Sequence, residues 1–386
     1  MTASRRQFIR VLGGGAVIAA AGGLGLTRCD LMPEEAIAAW QDPFGAEVEP
    51  RRRALGAALL APNPHNMQPW IADLRQEGVI TFLADRTRLL PATDPYSRQI
   101  VIGCGAFLEL LRMAAAEMGY RAETRLFPDG AWTDEAVGET PLARVTFAAD
   151  PAIARDPLFA HVLRRRSNRN VYEARHVEAR KAEAIAAASA EAGTRFGWTG
   201  GDAHLSDRIR DLARRAWAAE VGYDESYYES VRVYRLTATE IAAHRDGLSL
   251  HGPLIWWLNA TGIFTREKAL SGNKFLRDQA LANVTAQIDA SPSFGWIITP
   301  QNDRPMQIAA GRAYVRANLA ATGAGVALCP LSQILEEFPA MQALQREFKE
   351  TLGVEPAHTV QMLFRMGYAT EAPPSPRRRL GDIVLA

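Results

Sequence analysis

From about residue 50 onward, apolar positions follow helical and strand periods. Residues 50–60 carry the spacing of a helix that must stop at Pro62, because proline lacks the donor that an interior helical position needs. Residues 71–74 and 79–84 read as a strand pair turning at Arg75-Gln76-Glu77-Gly78. Leu158, Phe159, Val162 and Leu163 lie on one helical face over 157–163. Residues 178–193 and 205–219 read as helices, and 295–299 and 359–366 as strands. This alternation predicts an α+β fold with a mostly antiparallel sheet between helices.

Two segments repeat. Residues 98–119 match 304–325 at an offset of 206, with Arg98 on Arg304, Ile102 on Ile308, Gly105 on Gly311 and Gly119 on Gly325. Each reads as one amphipathic helix stopped by glycine and followed by a short apolar run that ends at Pro128 or Pro330. Shared alanine-rich composition is the competing explanation. Taken as a true repeat, it predicts two copies of one helix–strand unit folded as a pseudo-dimer. Residues 220–295 do not fit the repeat. With Tyr223, Tyr227, Tyr228, Trp256, Trp257 and Phe264, they read as a mainly helical insertion able to cover the other half.

The N-terminus has a different pattern. Ser4-Arg5-Arg6-Gln7-Phe8-Ile9-Arg10 precedes a weakly apolar stretch, 11–26, with six glycines in sixteen positions. That is too short and too glycine-rich for a stable spanning helix. A charged start and a modest apolar core form the layout of an export signal, and the segment resembles the bacterial twin-arginine signal. The resemblance implies passage of a folded, cofactor-loaded protein through the twin-arginine machinery to the periplasm, with cleavage or retention as an anchor both open. Gly13-Gly14-Gly15 has neither the spacing nor the preceding strand of a dinucleotide loop.

Composition narrows the function. Of 386 residues, 48% are apolar and 23% charged, with a net charge of +1, so no global field draws the chain to nucleic acid. Three cysteines with no CxxC pair exclude a disulfide scaffold and a cysteine zinc site, and the seven histidines show no metal-like spacing. No nucleophile-elbow, zinc-protease or paired-carboxylate signature is present.

Three segments carry candidate chemistry. In 61–70, three prolines stiffen a loop that presents Asn63, Asn66 and Gln68, amides suited to a planar heterocycle with mixed donor and acceptor edges; a helix-ending turn with solvated amides is the plainer reading. Arg164-Arg165-Arg166-Ser167-Asn168-Arg169 offers guanidinium forks and a hydroxyl to phosphate oxygens. In a chain with only four lysines, a solvated arginine face is the alternative, as it is for Arg377-Arg378-Arg379. Pro330-Leu331-Ser332-Gln333 is a candidate border of the same pocket or a simple strand exit.

Together these segments resemble the nitroreductase superfamily. Asn66-Met67-Gln68-Pro69-Trp70 after Ala61-Pro62 is similar to its amide loop, Arg165-Arg166-Ser167-Asn168-Arg169 to its phosphate motif, and Met366-Gly367-Tyr368 with Pro373-Pro374 and Arg377–Arg379 to its ending. The order, with Asp94-Pro95, Arg98 and Cys104-Gly105-Ala106, most resembles the Acg family of single-chain tandem proteins. The resemblance implies an export segment over 1–33, a first nitroreductase-like half over 34–155, and a second over 156–386 that carries the insertion. It implies one FMN per chain in a monomeric pseudo-dimer. Arg165, Ser167, Arg169 and one of Arg378 or Arg379 would hold the phosphate. Asn66 and Gln68 would meet the flavin, and Asn63 stands where the family has serine. No catalytic side chain or metal is implied, since the hydride chemistry belongs to the cofactor. The expected function is flavin-dependent reduction of a small electron-poor or quinone-like compound. Flavin sequestration with little turnover, and a non-enzymatic scaffold, are the alternatives.

Overall fold

A computed structural model describes residues 30–385. The export segment lies outside the described residues, apart from its last few positions. Two sheets flank a central pair of long helices. The helices are α1 Glu34–Ile37, α2 Pro50–Ala58, α3 Arg98–Glu117, α4 Ala179–Ala188, α5 Ala203–Gly222, α6 Asp224–Arg232, α7 Ala238–His244, α8 Pro253–Ala260, α9 Arg266–Leu270, α10 Lys274–Asp289, α11 Arg304–Gly323 and α12 Gln342–Thr351. The first sheet holds β1 Trp70–Asp73, β2 Val79–Ala84, β3 Tyr120–Leu126, β4 Ala143–Ala149 and β11 Val384–Leu385, in the order β11-β1-β2-β4-β3. The second holds β5 Arg195–Trp198, β8 Ser293–Thr299, β9 Ala327–Pro330 and β10 Thr359–Gly367, in the order β5-β8-β10-β9. Two short strands, β6 Tyr234–Arg235 and β7 Leu248–Ser249, pair inside the insertion. Pairing within the two main sheets is antiparallel except where β11 runs parallel to β1.

Helices α3 and α11 cross at the centre of the molecule. A Cβ on Gly105 would stand 2.2 Å from the Ile308 carbonyl oxygen, and one on Gly311 would stand 1.9 Å from the Ile102 carbonyl oxygen. These are the residues paired at the offset of 206, and the contact is reciprocal. The helix starts repeat the exchange. Arg98 donates to the main-chain oxygens of Gln361 (2.8 Å) and Leu335 (2.6 Å), both in the second half. Arg304 donates to those of Tyr96 and Thr133 (both 2.9 Å), in the first. Helix α3 is long and apolar enough to cross a membrane, but most of it is buried as a core helix.

Several expectations shift. The segment 157–163 forms a 3-10 turn, Pro157–His161, capped by Asp156, rather than an α-helix. The helix expected over 178–193 ends at Ala188 because the chain turns at Ser189 and reverses through Gly193 to enter β5. Strands β4, β5 and β11 were not legible in the pattern. The C-terminal tail returns to the first sheet, where Ala72 pairs with Val384. Residues 220–295 are mainly helical and pack around a small core of Val221, Tyr227, Val231, Ala269 and Leu276.

Candidate functional site

One cavity of about 380 Å³ opens between the halves and the insertion. The first half contributes Pro62–His65 and the first turns of α3. The second contributes Ser167, Arg169, Tyr314 and the β9 exit from Pro330 to Gln333. The insertion closes it with Tyr227, Tyr234 and a row on α10, Gln279, Asn283 and Gln287, spaced four residues apart on one helical face.

The loop reaches this wall in a strained form. His65, Asn66 and Gln68 have φ of 47°, 54° and 51°, each costing roughly 1 kcal/mol or more for a residue with a Cβ. Its neighbours hold it there. The Asn63 side chain accepts from the Gln68 N–H at 2.8 Å. Gln68, with no solvent exposure, donates to the Arg245 oxygen and accepts from the Arg378 N–H, both at 2.8 Å. Asn66 donates to Pro376 and accepts from the Arg377 guanidinium. His65 bonds Ser230 at 2.9 Å, and burial with Arg169 nearby lowers its pKa to about 4, so the imidazole is neutral at pH 7.

The structure therefore divides the sequence-derived residues. Asn63, Ser167, Arg169, Pro330 and Leu331 line the cavity. Asn66 and Gln68 do not. Buried amides must be satisfied: the buried Gln68 amide and the half-buried Asn66 amide are spent tying the loop to the C-terminal tail and, through Gln68, to Arg245. Arg378 also turns from the cavity, donating to the oxygens of Gln68 (2.9 Å) and Asp382 (2.7 Å). Arg379 is exposed and pairs with Asp382 at 3.2 Å.

Arg165 lies behind the lining, 2% exposed. Its guanidinium, with those of Arg166 and Arg377, surrounds the Trp40 ring at 5.4, 4.3 and 5.0 Å. Arg165 donates to the Leu60 oxygen at 2.9 Å, but its Nε and Nη1 have no partner, nor do the Nε atoms of Arg166 and Arg377. None of the three forms an ion pair with a carboxylate among the described residues. Burial lowers the Arg165 pKa to about 10, and burial with the neighbouring guanidiniums holds that of Arg377 well below its usual value. Unpaired donors on clustered cations fit a bound dianion such as a phosphate monoester. The C-terminal arginine in this cluster is Arg377, not Arg378 or Arg379. The triplet was legible in sequence, but which member faces inward depends on where the tail packs.

The sequence reading also missed Glu220. Residues 209, 212, 213 and 216 of α5 form its buried face, and position 220 continues that face with an acid. The side chain is 4% exposed on the cavity wall, and burial, with Glu229 nearby, pushes its pKa up to about 8. Asp94, which caps α3 through the Gln99 and Ile100 N–H groups, is pushed up to about 6 by burial. Both groups hold protons more tightly folded than unfolded. Their contribution is therefore full below the ordinary carboxyl range and is lost as pH rises through about 6 and about 8. We expect stability to fall between pH 5 and pH 8 and the slope to flatten in Glu220→Gln, by at most roughly 1.4 kcal/mol per pH unit. Urea unfolding of both proteins across that range checks this.

A sequence profile of the nitroreductase family matches residues 162–368. The chain belongs to the nitroreductase family. This nitroreductase-family chain is 29% identical over 353 residues to Acg of Mycobacterium tuberculosis, provisionally named an NAD(P)H nitroreductase, covering 86% of this chain and 94% of that one. It is 27% identical over 351 residues to Rv3131 of the same organism, which carries the same kind of name, covering 88% and 92%. Among solved structures, a nitroreductase with bound FMN from Bacteroides fragilis is 17% identical, with 58% and 94% covered and a TM-score of 0.36. Among the described residues, no group of His, Cys, Asp or Glu is arranged to hold a metal ion.

Proposed function

We propose that the chain binds one FMN in this cavity and uses it to reduce a small electron-poor or quinone-like compound. The observation that carries the reading is the convergence of the 62–65 loop from one half with Ser167 and Arg169 from the other on one cavity, backed by the unpaired donors of Arg165 and Arg377. The reciprocal contacts of α3 and α11 support an intrachain pseudo-dimer in which each half supplies a different part of the site. The twin-arginine segment supports export of the folded, loaded protein, and the names of the mycobacterial relatives suggest NAD(P)H as a donor to test.

FMN, when bound, supplies hydride acceptance and donation at its ring. The chain's part is to hold and shield. Ser167, Arg169, Arg165 and Arg377 would hold the phosphate. Asn63 and the main chain of the 62–65 loop would meet the heterocycle, with Asn66 and Gln68 fixing the loop's shape. Neutral His65 keeps a second cation away from Arg169. The α10 row and Tyr227 limit water and substrate access. That same cover favours a second reading, flavin sequestration. Anaerobic reduction of the loaded protein with NADH, NADPH or dithionite, followed by reoxidation with a soluble quinone, separates the two. Multiple turnovers support reduction; a flavin that binds but neither reduces nor reoxidises at a useful rate supports sequestration.

A further inference from the structure

Resting on that flavin reading, we propose that Glu220 is the acid of this site: its buried carboxyl delivers the proton that completes two-electron reduction of a quinone-like acceptor in the cavity. Nothing in the family motifs points to this residue. The geometry does. Glu220 lines the cavity, and its Oε2 is buried without a hydrogen-bond partner. An acid left unsatisfied by the protein is available to a ligand oxygen.

Its surroundings keep the proton on it. From α6, Glu229 faces it, with both oxygens occupied by the Ala92 and Thr93 N–H groups (2.9 Å each) and the Thr93 hydroxyl (2.8 Å). Beyond the β9 exit, Glu336 is buried, has an unpartnered oxygen of its own and is held neutral by burial and by Glu220. Asp94 and Arg98 stand behind Glu336, and the Tyr234 phenol approaches from β6. Gln333, on the same wall, bonds the Glu220 carboxyl. One carboxylate with both oxygens hydrogen-bonded, beside two carboxyls that each leave one oxygen without a partner, separates the roles of these groups.

The other titratable groups on the wall are poorer donors. His65 has already lost its proton at neutral pH, and burial raises the phenols of Tyr227, Tyr234 and Tyr314. A carboxyl titrating near 8 is matched to proton transfer at physiological pH.

The step balances. A hydride from the reduced flavin of the proposed reaction carries two electrons and one hydrogen to the quinone, and the flavin is oxidised. The Glu220 O–H bond breaks as an O–H bond forms on a quinone oxygen, giving the hydroquinone. The Glu220 carboxylate regains a proton from solvent as product leaves.

The test compares wild type with Glu220→Gln, which keeps shape and polarity but holds no transferable acid proton, and with Glu336→Gln, which leaves the acid in place and replaces the neutral carboxyl behind it. FMN content is measured first; a wild-type chain that takes up no FMN overturns the flavin reading and this proposal with it. Reduced, loaded protein is then mixed rapidly with a soluble benzoquinone. We expect reoxidation of Glu220→Gln to be at least about 100-fold slower, with FMN content and dithionite reduction unchanged. The wild-type rate should fall above about pH 8 while the Glu220→Gln rate stays flat. In Glu336→Gln both the plateau rate and the pH of the fall should stay close to wild type, because Glu336 is already neutral when Glu220 titrates. Independently of activity, infrared spectra of flavin-free wild type should show a carboxylic-acid band that titrates near pH 8 and is missing from Glu220→Gln. Equal reoxidation rates in wild type and Glu220→Gln, or no such band, would overturn the proposal.

Discussion

Arg165→Met should lose FMN affinity by at least about 100-fold, yet its flavin-free form should unfold at a higher temperature than wild type. The two effects have one cause. Arg165, Arg166 and Arg377 crowd Trp40 with unpaired donors and no ion-paired carboxylate among the described residues. In the proposed complex, the phosphate satisfies that excess charge. Removing two charge-assisted hydrogen bonds, about 1.5–3 kcal/mol each, gives the expected loss. Without phosphate, the same charge is an uncompensated burden, and methionine fills the space without it. The Leu60 oxygen keeps a donor in Arg377, at 3.4 Å. Fluorescence-quenching titration and thermal unfolding of the flavin-free protein measure the two effects. Arg379→Ala is the control: the residue is exposed and pairs only with Asp382, so both quantities should stay at wild-type values. Unchanged FMN affinity in Arg165→Met would remove the arginine cluster from the site.

Gly311→Ala is expected to destabilise the protein by about 3 kcal/mol or more, at the upper end for overpacking. The added methyl would stand 1.9 Å from the Ile102 oxygen and 2.9 Å from the Ala106 nitrogen, both main-chain atoms inside α3. Neither helix can yield locally without breaking its own hydrogen bonds, so the crossing itself must open. The loss extends to the site, because α3 carries Arg98, Ile102 and Gly103 on the cavity wall and α11 carries Tyr314. Urea denaturation measures it against Gly201→Ala, where the new methyl meets nothing within 4 Å and stability should be unchanged. A Gly311→Ala protein within 1 kcal/mol of wild type would mean that the two helices are not locked at this point.

What the sequence made legible follows from how locally each feature is encoded. The long helices, the insertion and the matched pairs Arg98/Arg304 and Gly105/Gly311 could be read because period and offset are properties of the chain itself. Strand β5 has only Arg195-Phe196-Gly197-Trp198, too short for a period, and takes its structure from pairing with β8. Strand β11 exists because Val384 and Leu385 meet β1, more than 300 positions earlier. The site was legible by type and less so by atom. Asn66 and Gln68 stand where the family motif has them, but left-handed backbone at 65, 66 and 68 turns their amides toward the tail. Arg377 rather than its two neighbours faces Arg165 because the tail is pinned by Gln68 and Asn66. Glu220 lies one residue past the helix read over 205–219, and only its phase on the buried face of α5 marks it.

The central claim is that different parts of the two halves grip a single flavin. Titration of flavin-free chain of known concentration with FMN, followed by fluorescence quenching, tests it most directly. The account predicts saturation at one FMN per chain, with the break point lost in Arg165→Met. Two equivalents per chain, or no saturable uptake, would contradict it.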